Sequence, residues 1–252
     1  MKASSIPDHE LSFQTNAVDS AGKKFVLTNE TVSIPGTAEK ITFVDCKRDN
    51  GDKSFYYEEA TAKKKIVLHY TMGYIKGDIE YLTKQHVSVP FLIARSGSIY
   101  NLFASKYWSY HLGPGASGGN TAMSRECIGI EISNIGPLKK IGDKLVTSYG
   151  DNDVYCAAGD TQYYAELATA YRGFKYYAKF TDGQYGSLTS LLKFLCAKYN
   201  IPKTFVTEQT RYSVMSNQEF KNFAGIVSHV NCRSDKTDIG PAFDWARLIS
   251  GV

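Results

Sequence analysis

Two histidines stand where the chain could bind a metal ion. His69 and His229 each end a short run of apolar residues, and a histidine at the end of a buried strand can project into a cleft at the sheet edge. A single histidine in such a place is more often a core residue with satisfied hydrogen bonds. Asp238 follows His229, however, and two histidines with one carboxylate would leave an open position on a catalytic zinc ion. Cys232 is the alternative third ligand, since a thiolate also binds zinc and this residue follows closely after His229.

A carboxylate interrupts a second apolar run. Glu131 lies within Cys-Ile-Gly-Ile-Glu-Ile at 127–132, which has the apolar character of a buried strand. A lone carboxylate in such a strand is costly unless it is paired or has a function. A salt bridge with a lysine or arginine and a role in catalysis are therefore the two alternatives for Glu131.

Strands and helices must bring these residues together. Beyond three short β-like runs before residue 47, the predicted strands lie at 66–70, 91–94, 99–103, 127–132 and 226–229. The predicted helices lie at 78–82 with Asp78 as cap, at 164–178, at 181–200 with Thr181 as N-cap, from Ser216, and at 241–249. The helix at 164–178 is predicted from apolar residues spaced 3, 4, 3 and 4 positions apart. Because strands and helices alternate, the fold class is α/β or mixed α+β.

The composition excludes several classes of protein. The 252 residues are 43% hydrophobic and 21% charged, as in a globular protein and unlike a disordered or collagen-like chain. The net charge of +4 suits an anionic partner such as a cell wall but is too weak to indicate nucleic acid. No apolar stretch is long enough for a transmembrane helix, and we expect no secretory signal. The five cysteines have no C-x-x-C spacing and are predicted to be reduced thiols.

Three blocks of the sequence resemble one family. They are IVLHYT around His69, CIGIEI around Glu131 and SHVN…DKTDIGPAFDW from Ser228. They are similar to the zinc-dependent N-acetylmuramoyl-L-alanine amidases of the type-2 family, which includes phage lysozymes and peptidoglycan-recognition proteins. The resemblance covers about residues 62–250. It implies a mixed α+β fold in which helices flank a central mixed sheet and a zinc cleft lies at one edge of that sheet.

The resemblance also divides the chain. It implies a catalytic domain at 61–252, within which residues 136–180 form an insertion at the rim of the cleft, predicted as a helix and a loop. Residues 1–60 are a β-like N-terminal extension of unknown role, predicted to pack on the catalytic domain as short strands.

The family's metal ligands can be carried over residue by residue. The resemblance implies that His69, His229 and Asp238 bind one zinc ion per chain. It favours Asp238 over Cys232 as third ligand, and Cys232 is then a small buried apolar residue.

Four further residues match positions of the family that act on the substrate. Glu131 matches its glutamate, a general base, and Lys236 matches a lysine that stabilises the oxyanion; the alternative for Lys236 is a solvated loop lysine. His111 matches the histidine of a block that lines the substrate groove, and Tyr110 stands in the tryptophan position of that block.

The resemblance implies hydrolysis of the amide bond between N-acetylmuramic acid and L-alanine in bacterial peptidoglycan. A non-catalytic peptidoglycan-binding protein and a phage structural module with the same fold are the alternatives. We expect a monomer with peptidoglycan as its partner, no nucleic acid and no membrane span. The expected setting is a phage endolysin, made in the host cytoplasm without a signal peptide and acting on the cell wall.

Overall fold

The computed structural model describes residues 1–252, which form six α-helices and two β-sheets. The helices are α1 (Ile6–Asn16), α2 (Ile75–Leu82), α3 (Asn120–Glu126), α4 (Asp182–Tyr199), α5 (Asn217–Asn222) and α6 (Trp245–Gly251). The strands are β1 (Phe25–Ser33), β2 (Lys40–Arg48), β3 (Lys65–Tyr70), β4 (Phe91–Ile93), β5 (Ile99–Asn101), β6 (Cys127–Ile132), β7 (Pro137–Ile141), β8 (Lys144–Thr147), β9 (Val154–Ala157), β10 (Tyr164–Tyr171), β11 (Phe174–Ala178) and β12 (Gly225–Ser228). None of the helices combines the length and the apolar character needed to cross a bilayer.

The larger sheet has seven strands in the order β1-β2-β5-β4-β6-β3-β12. Strands β4, β6, β3 and β12 run parallel to one another, whereas β1 pairs with β2 and β4 pairs with β5 in antiparallel fashion. Alternate residues of β3 face opposite sides of this sheet. Ile66 and Leu68 pack in one buried cluster with Leu188 and Leu192 of α4. The mixed sheet with flanking helices confirms the predicted mixed α+β fold.

The second sheet replaces the helix that we predicted at 164–178. Residues 137–178 form five antiparallel strands in the order β10-β11-β7-β8-β9, so the prediction of a helix and a loop at 136–180 is wrong. The residues between Tyr164 and Ala178 fold into a hairpin whose turn contains Arg172 (φ 49°) and Gly173 (φ 85°). Tyrosines and other apolar residues spaced 3 or 4 positions apart lie on one face of a helix, but they pack equally well on the two strands of a twisted hairpin.

The N-terminal 60 residues contribute to the larger sheet. β1 and β2 pair over nine residues each, and β2 continues the sheet through β5. The β-like runs predicted at 24–27 and 31–34 form one continuous strand, β1. The sequence reasoning missed α1, whose Phe13 packs against Phe25 and Tyr100. The separation of a 1–60 extension from a 61–252 domain stays a prediction.

The predicted starts of the other helices are right where a capping box marks them. Capping boxes are confirmed at the start of α4, where Thr181 accepts from the Gln184 N–H, and at the start of α5, where Ser216 accepts from the Glu219 N–H. The last helix begins at Trp245 with Asp244 as its cap, four residues later than predicted. Asp78 lies inside the first turn of α2 and is not its cap, because its buried carboxylate accepts a hydrogen bond from Ser133 at 2.6 Å.

Candidate active site

The parallel register of three strands places Glu131, His69 and His229 in one row. His69 on β3 pairs directly with Glu131 on β6. Ser228, the last residue of β12, pairs with Leu68, so His229 follows beside His69. Side chains that are paired in register point to the same face of a sheet. The row therefore lies at the carboxyl end of the strands, on the face opposite the helix α4.

Three buried donor atoms meet at the end of this row. His69 Nδ1 lies 3.0 Å from His229 Nδ1, and the Asp238 Oδ2 atom lies 3.0 Å from His229 Nδ1 and 3.3 Å from His69 Nδ1. Ligands held about 2.1 Å from a tetrahedral zinc ion are about 3.4 Å from each other. The donor set, its spacing and its burial therefore fit a zinc ion with one position open.

Hydrogen bonds behind the cluster orient both imidazole rings. His229 Nε2 lies 3.0 Å from the Leu112 carbonyl oxygen, so it carries the proton and leaves Nδ1 free to bind a metal. His69 Nε2 contacts His111 Nδ1 at 3.0 Å in the same way. The ring of His111 reaches this position because Gly129 lies beneath it, where a β-carbon would be 3.0 Å from His111 Nδ1. His111 thus supports His69 as well as lining the cleft.

Cys232 lies outside the donor cluster. Its thiol donates to the backbone oxygen of His229 at 3.2 Å and is buried among apolar side chains that include Val67 and Val227. Burial raises the pKa of this thiol well above its ordinary value, which disfavours the thiolate that would bind zinc. The structure thus brings Asp238, and not Cys232, to the two histidines.

The protonation states also suit a divalent cation. Burial lowers the pKa of His69 to about 4, so the ring is neutral. Burial acts to raise the pKa of Asp238, but the contacts with His229 and His69 outweigh it and hold that pKa well below its usual range. Neutral imidazole and ionised carboxylate are the forms that bind metal.

Glu131 lies beside the cluster with part of its carboxylate unused. Its Oε2 atom is buried and has no hydrogen-bond partner. Burial raises the pKa of Glu131 well above its usual value, and the negative charges of Asp238 and Asp78 raise it further. No salt bridge forms, so the structural alternative considered for Glu131 has no partner here. A buried, unpaired carboxylate with a raised pKa in a cleft is the pattern of a functional group.

A cleft of about 650 Å³ opens over the row. One wall carries the apolar or aromatic side chains of Met72, Tyr81, Val87 and Tyr110. The other wall is formed by residues 233–238, where Lys236 faces the cleft without an ion pair. Burial and the charge of Asp238 raise the pKa of Glu131, and the positive charge of Lys236 acts in the opposite direction.

A family comparison agrees with this geometry. Residues 59–241 match the amidase-2 family, described as N-acetylmuramoyl-L-alanine amidase. The chain belongs to this family. The match includes the three donor residues, Glu131 and Lys236, and it also spans the second sheet. A search of curated protein sequences finds no match.

Solved amidase structures share the fold at low sequence identity. The N-acetylmuramyl-L-alanine amidase AmiD from E. coli, solved with anhydro-N-acetylmuramic acid-L-Ala-D-γ-Glu-L-Lys, is 21% identical with a TM-score of 0.50. The alignment covers 88% of this chain but only 65% of AmiD. AmpDh3 from Pseudomonas aeruginosa is 18% identical with a TM-score of 0.47, covering 79% of this chain and 65% of that one. The endolysin amidase LysCS from Clostridium intestinale is 16% identical with a TM-score of 0.42, covering 75% and 83% of the two chains.

Sequence reasoning missed several residues of this amidase-family cleft. Arg233 donates to both oxygens of Asp235, at 2.9 and 2.6 Å, and to the Leu112 carbonyl oxygen at 3.3 Å. Thr237 shares a 2.6 Å hydrogen bond with the hydroxyl of Tyr70. The position of Arg233 and Thr237 beside Lys236 and Asp238 was the available signal, but no spacing rule in the sequence points to the Leu112 carbonyl group.

Proposed function

We propose that this protein is a zinc-dependent N-acetylmuramoyl-L-alanine amidase that hydrolyses the amide bond between N-acetylmuramic acid and L-alanine in peptidoglycan. The observation that carries the proposal is the row of buried groups at the end of β6, β3 and β12. Two histidines meet an aspartate at 3.0–3.3 Å, and the unpaired Oε2 of Glu131 lies in the same row.

His69, His229 and Asp238 would hold the zinc ion. When bound there, zinc would lower the pKa of water and polarise the amide carbonyl group. The chain prepares for it by hydrogen-bonding the outer nitrogens of both imidazoles, that of His229 to the Leu112 carbonyl oxygen and that of His69 to His111. Removal of these outer contacts typically weakens metal affinity about 10–100-fold.

Glu131 moves the proton in this proposal. Its carboxylate accepts a proton from the attacking water as the water oxygen bonds to the amide carbon. The raised pKa makes it a stronger base, as general base catalysis near neutral pH requires. When the carbon–nitrogen bond breaks, Glu131 passes the same proton to the leaving nitrogen of L-alanine. The products are a lactyl carboxylate on the sugar and a free amino group on the peptide.

Lys236 stabilises the negative charge that develops on the carbonyl oxygen. Its ammonium group has no acidic partner, so its charge is available to the substrate. A fixed cation of this kind acts most strongly in a site from which water is partly excluded.

The two walls of the cleft match the two halves of the proposed substrate. The scissile bond joins a sugar to a peptide that carries carboxylates. Tyr110 and Tyr81 on the apolar wall offer surfaces for sugar rings, and Lys236 on the other wall offers positive charge for the peptide, since Arg233 is paired with Asp235. The net charge of +4 favours approach to an anionic wall, and lysis of a host cell wall by a phage enzyme is the setting we propose.

Digestion of purified sacculi tests this proposal, because mass spectrometry of the products names the bond that is cut. We expect stem peptides that begin with free L-alanine and glycan with free lactyl carboxylates. The zinc content should be one ion per chain by elemental analysis. A chelator should abolish the cleavage, and added zinc should restore it.

Two results would overturn the proposal. Binding to sacculi without new L-alanine amino termini would indicate a non-catalytic wall-binding protein. Cleavage that persists at full rate in metal-free protein would exclude the zinc mechanism. Glu131→Ala serves as the matched control, since it should keep the zinc and the binding while losing cleavage.

A further inference from the structure

The tip of the β10–β11 hairpin lies against the loop that carries Lys236 and Asp238. This loop, residues 233–240, is called the Lys236 loop below. The Arg172 guanidinium donates a hydrogen bond to the backbone oxygen of Ser234. The ring of Tyr171 lies against Gly240 at the other end of the loop. The hairpin tip therefore contacts the Lys236 loop on both sides of the two functional residues.

The contact between Tyr171 and Gly240 is close enough to depend on both residues. A β-carbon at position 240 would lie 2.9 and 3.0 Å from two carbon atoms of the Tyr171 ring. The backbone of Gly240 is not in the left-handed region, so its conformation alone does not require glycine. Packing against the ring explains the glycine, because any larger residue would displace the hairpin or the loop.

The hairpin tip is itself held firmly. The hydroxyl of Tyr177 donates to the backbone oxygen of Tyr171 at 2.7 Å, and the Tyr171 ring packs on the Tyr212 ring with centroids 5.6 Å apart. At its base, β11 pairs with β7, which follows β6 and Glu131 after a short connection. Asn134 in that connection donates to the backbone oxygens of Ala178 and Lys179 at 3.3 Å. The second sheet thus starts beside Glu131 and ends on the Lys236 loop.

The Lys236 loop is anchored near its end by Asp238 and the buried Ile239, whereas its middle has few contacts. At its two ends, the Arg233 N–H donates to the His229 oxygen at 3.1 Å and the Phe243 N–H donates to the Gly240 oxygen at 3.2 Å. Between them, the Val230 N–H donates to the Asp238 oxygen at 2.9 Å, and the Lys236 N–H makes only a 3.4 Å bond to the Arg233 oxygen. Ser234 and Asp235 are exposed. The side chain of Lys236 has no partner. The loop contacts the rest of the protein through Arg233 on the Leu112 carbonyl oxygen, Thr237 on the Tyr70 hydroxyl and Asp238 on the two histidines. The hairpin tip adds the contacts at Ser234 and Gly240.

We propose that Tyr171 and Arg172 are positioning residues, which hold the Lys236 loop so that Asp238 meets the histidines and Lys236 faces the cleft. The inference rests on the proposed function for its catalytic consequence. Neither residue lines the cleft, so neither touches the substrate. A displacement of about 1 Å at a catalytic group can cost on the order of 100-fold in rate, which gives a surface hairpin a measurable effect on the chemistry.

Four variants test this inference. Tyr171→Ala and Arg172→Ala remove the two contacts, and Tyr171→Phe keeps the ring while removing a hydroxyl that has no partner. Lys175→Ala is the matched control, because it removes an exposed cation from the same hairpin whose partner is Glu166 and not the loop. We expect zinc affinity, measured by chelator competition, to fall about tenfold in both tip variants, as for other groups that support metal ligands. Tyr171→Phe and Lys175→Ala should keep the original affinity.

Kinetics and hydrogen exchange supply the remaining measurements. The turnover number of zinc-saturated Arg172→Ala and Tyr171→Ala should fall about 3–30-fold, because displacement of the loop moves Lys236 away from the developing oxyanion. Arg172→Lys should restore part of the loss. Amide exchange at Val230 and Lys236 should accelerate in Tyr171→Ala and stay unchanged in Lys175→Ala.

The hydrogen-exchange result separates this inference from the proposed function. If Tyr171→Ala folds and its exchange at Val230 and Lys236 matches that of the unsubstituted protein, the positioning role is wrong whatever the enzyme does. If the exchange accelerates while the unsubstituted protein neither binds zinc nor cleaves sacculi, the loop contact is right and the proposed function is wrong.

Discussion

The three parallel strands β12, β3 and β6 differ sharply from the second sheet at 137–178. Every residue of β3 and β12 is buried, and the register of the three strands sets the spacing of Glu131, His69 and His229. Most residues of β10 are exposed or half-buried, and this strand meets the site only through its tip. The parallel strands thus place the candidate catalytic groups Glu131, His69 and His229, whereas the second sheet contacts the site only through the Lys236 loop.

We expect the largest effect from removing a metal ligand that lies on the parallel strands. His69→Ala should lose the zinc ion and reduce cleavage to background, because two ligands remain where catalytic zinc sites have three. Cys232→Ser is the matched control and should keep both zinc and activity. Zinc content and product formation are measured on both variants. An active His69→Ala protein with full zinc occupancy would show that the ligand set is wrong.

Glu131→Ala should lower the turnover number about 10²–10⁴-fold, the usual range for loss of a general base. The zinc content and the binding to sacculi should be unchanged, because Glu131 does not belong to the donor cluster. If Glu131 were merely structural, the melting temperature and zinc occupancy would fall, and activity would decrease only with the folded fraction. The three measurements on one variant therefore separate catalysis from stability.

Lys236→Ala should cost on the order of 10²–10³-fold in turnover, as for other groups that stabilise an oxyanion. Combined with Glu131→Ala, the loss should be smaller than the product of the two single losses, since both groups serve one tetrahedral intermediate. Rates that multiply fully would indicate that the two residues act in separate steps. Lys236→Ala should lower the turnover number more than Tyr171→Ala, because the first variant removes the charge and the second only displaces the loop that carries it.

Asp78 joins the two regions and should make stability depend on pH. Its carboxylate is buried against Ser133, in the connection between β6 and β7, and burial raises its pKa from 3.8 to about 7. The protonated Asp78 carboxyl group contributes roughly 4 kcal/mol to the free energy of unfolding. This contribution is complete below a pH of about 4, the pKa in the unfolded chain, and is lost as the pH rises through about 7. Asp78→Asn removes this loss. In urea unfolding of the metal-free proteins, the variant should gain stability relative to the original chain between pH 5 and pH 8. An equal difference at both pH values would contradict the raised pKa.

The smallest expected effect compares a tyrosine that lines the cleft with a tyrosine of the second sheet. Tyr81 on the cleft wall and Tyr149 after β8 are 60% and 58% exposed. Tyr81→Ala should raise KM for sacculi a few-fold, since contact of one aromatic ring with a ligand contributes about 1 kcal/mol. Tyr149→Ala should leave KM unchanged. Equal effects of the two substitutions would exclude the apolar wall as a substrate surface.

The sequence predictions were right where the interacting residues are close together in the sequence. Capping boxes at Thr181 and Ser216 are confirmed, because a cap needs only residues three positions apart. The helix at 164–178 was wrong because apolar spacing cannot distinguish one helix face from a twisted hairpin. The Arg172–Gly173 turn was the local signal that favoured a hairpin.

The sequence by itself determined which residues can do the chemistry. Histidines that end apolar runs, a carboxylate inside a buried strand and the Lys-Thr-Asp segment are visible without a fold, because their side-chain chemistry depends only on residue type and local context. The tertiary structure alone decided how they meet. The register of β3 with β6 paired His69 with Glu131, the Leu112 carbonyl oxygen selected the free nitrogen of His229, and the packing of Tyr171 on Gly240 placed the Lys236 loop. These contacts join residues distant in sequence, and only the packing of the sheets, with the burial that excludes water, selects one such arrangement among many.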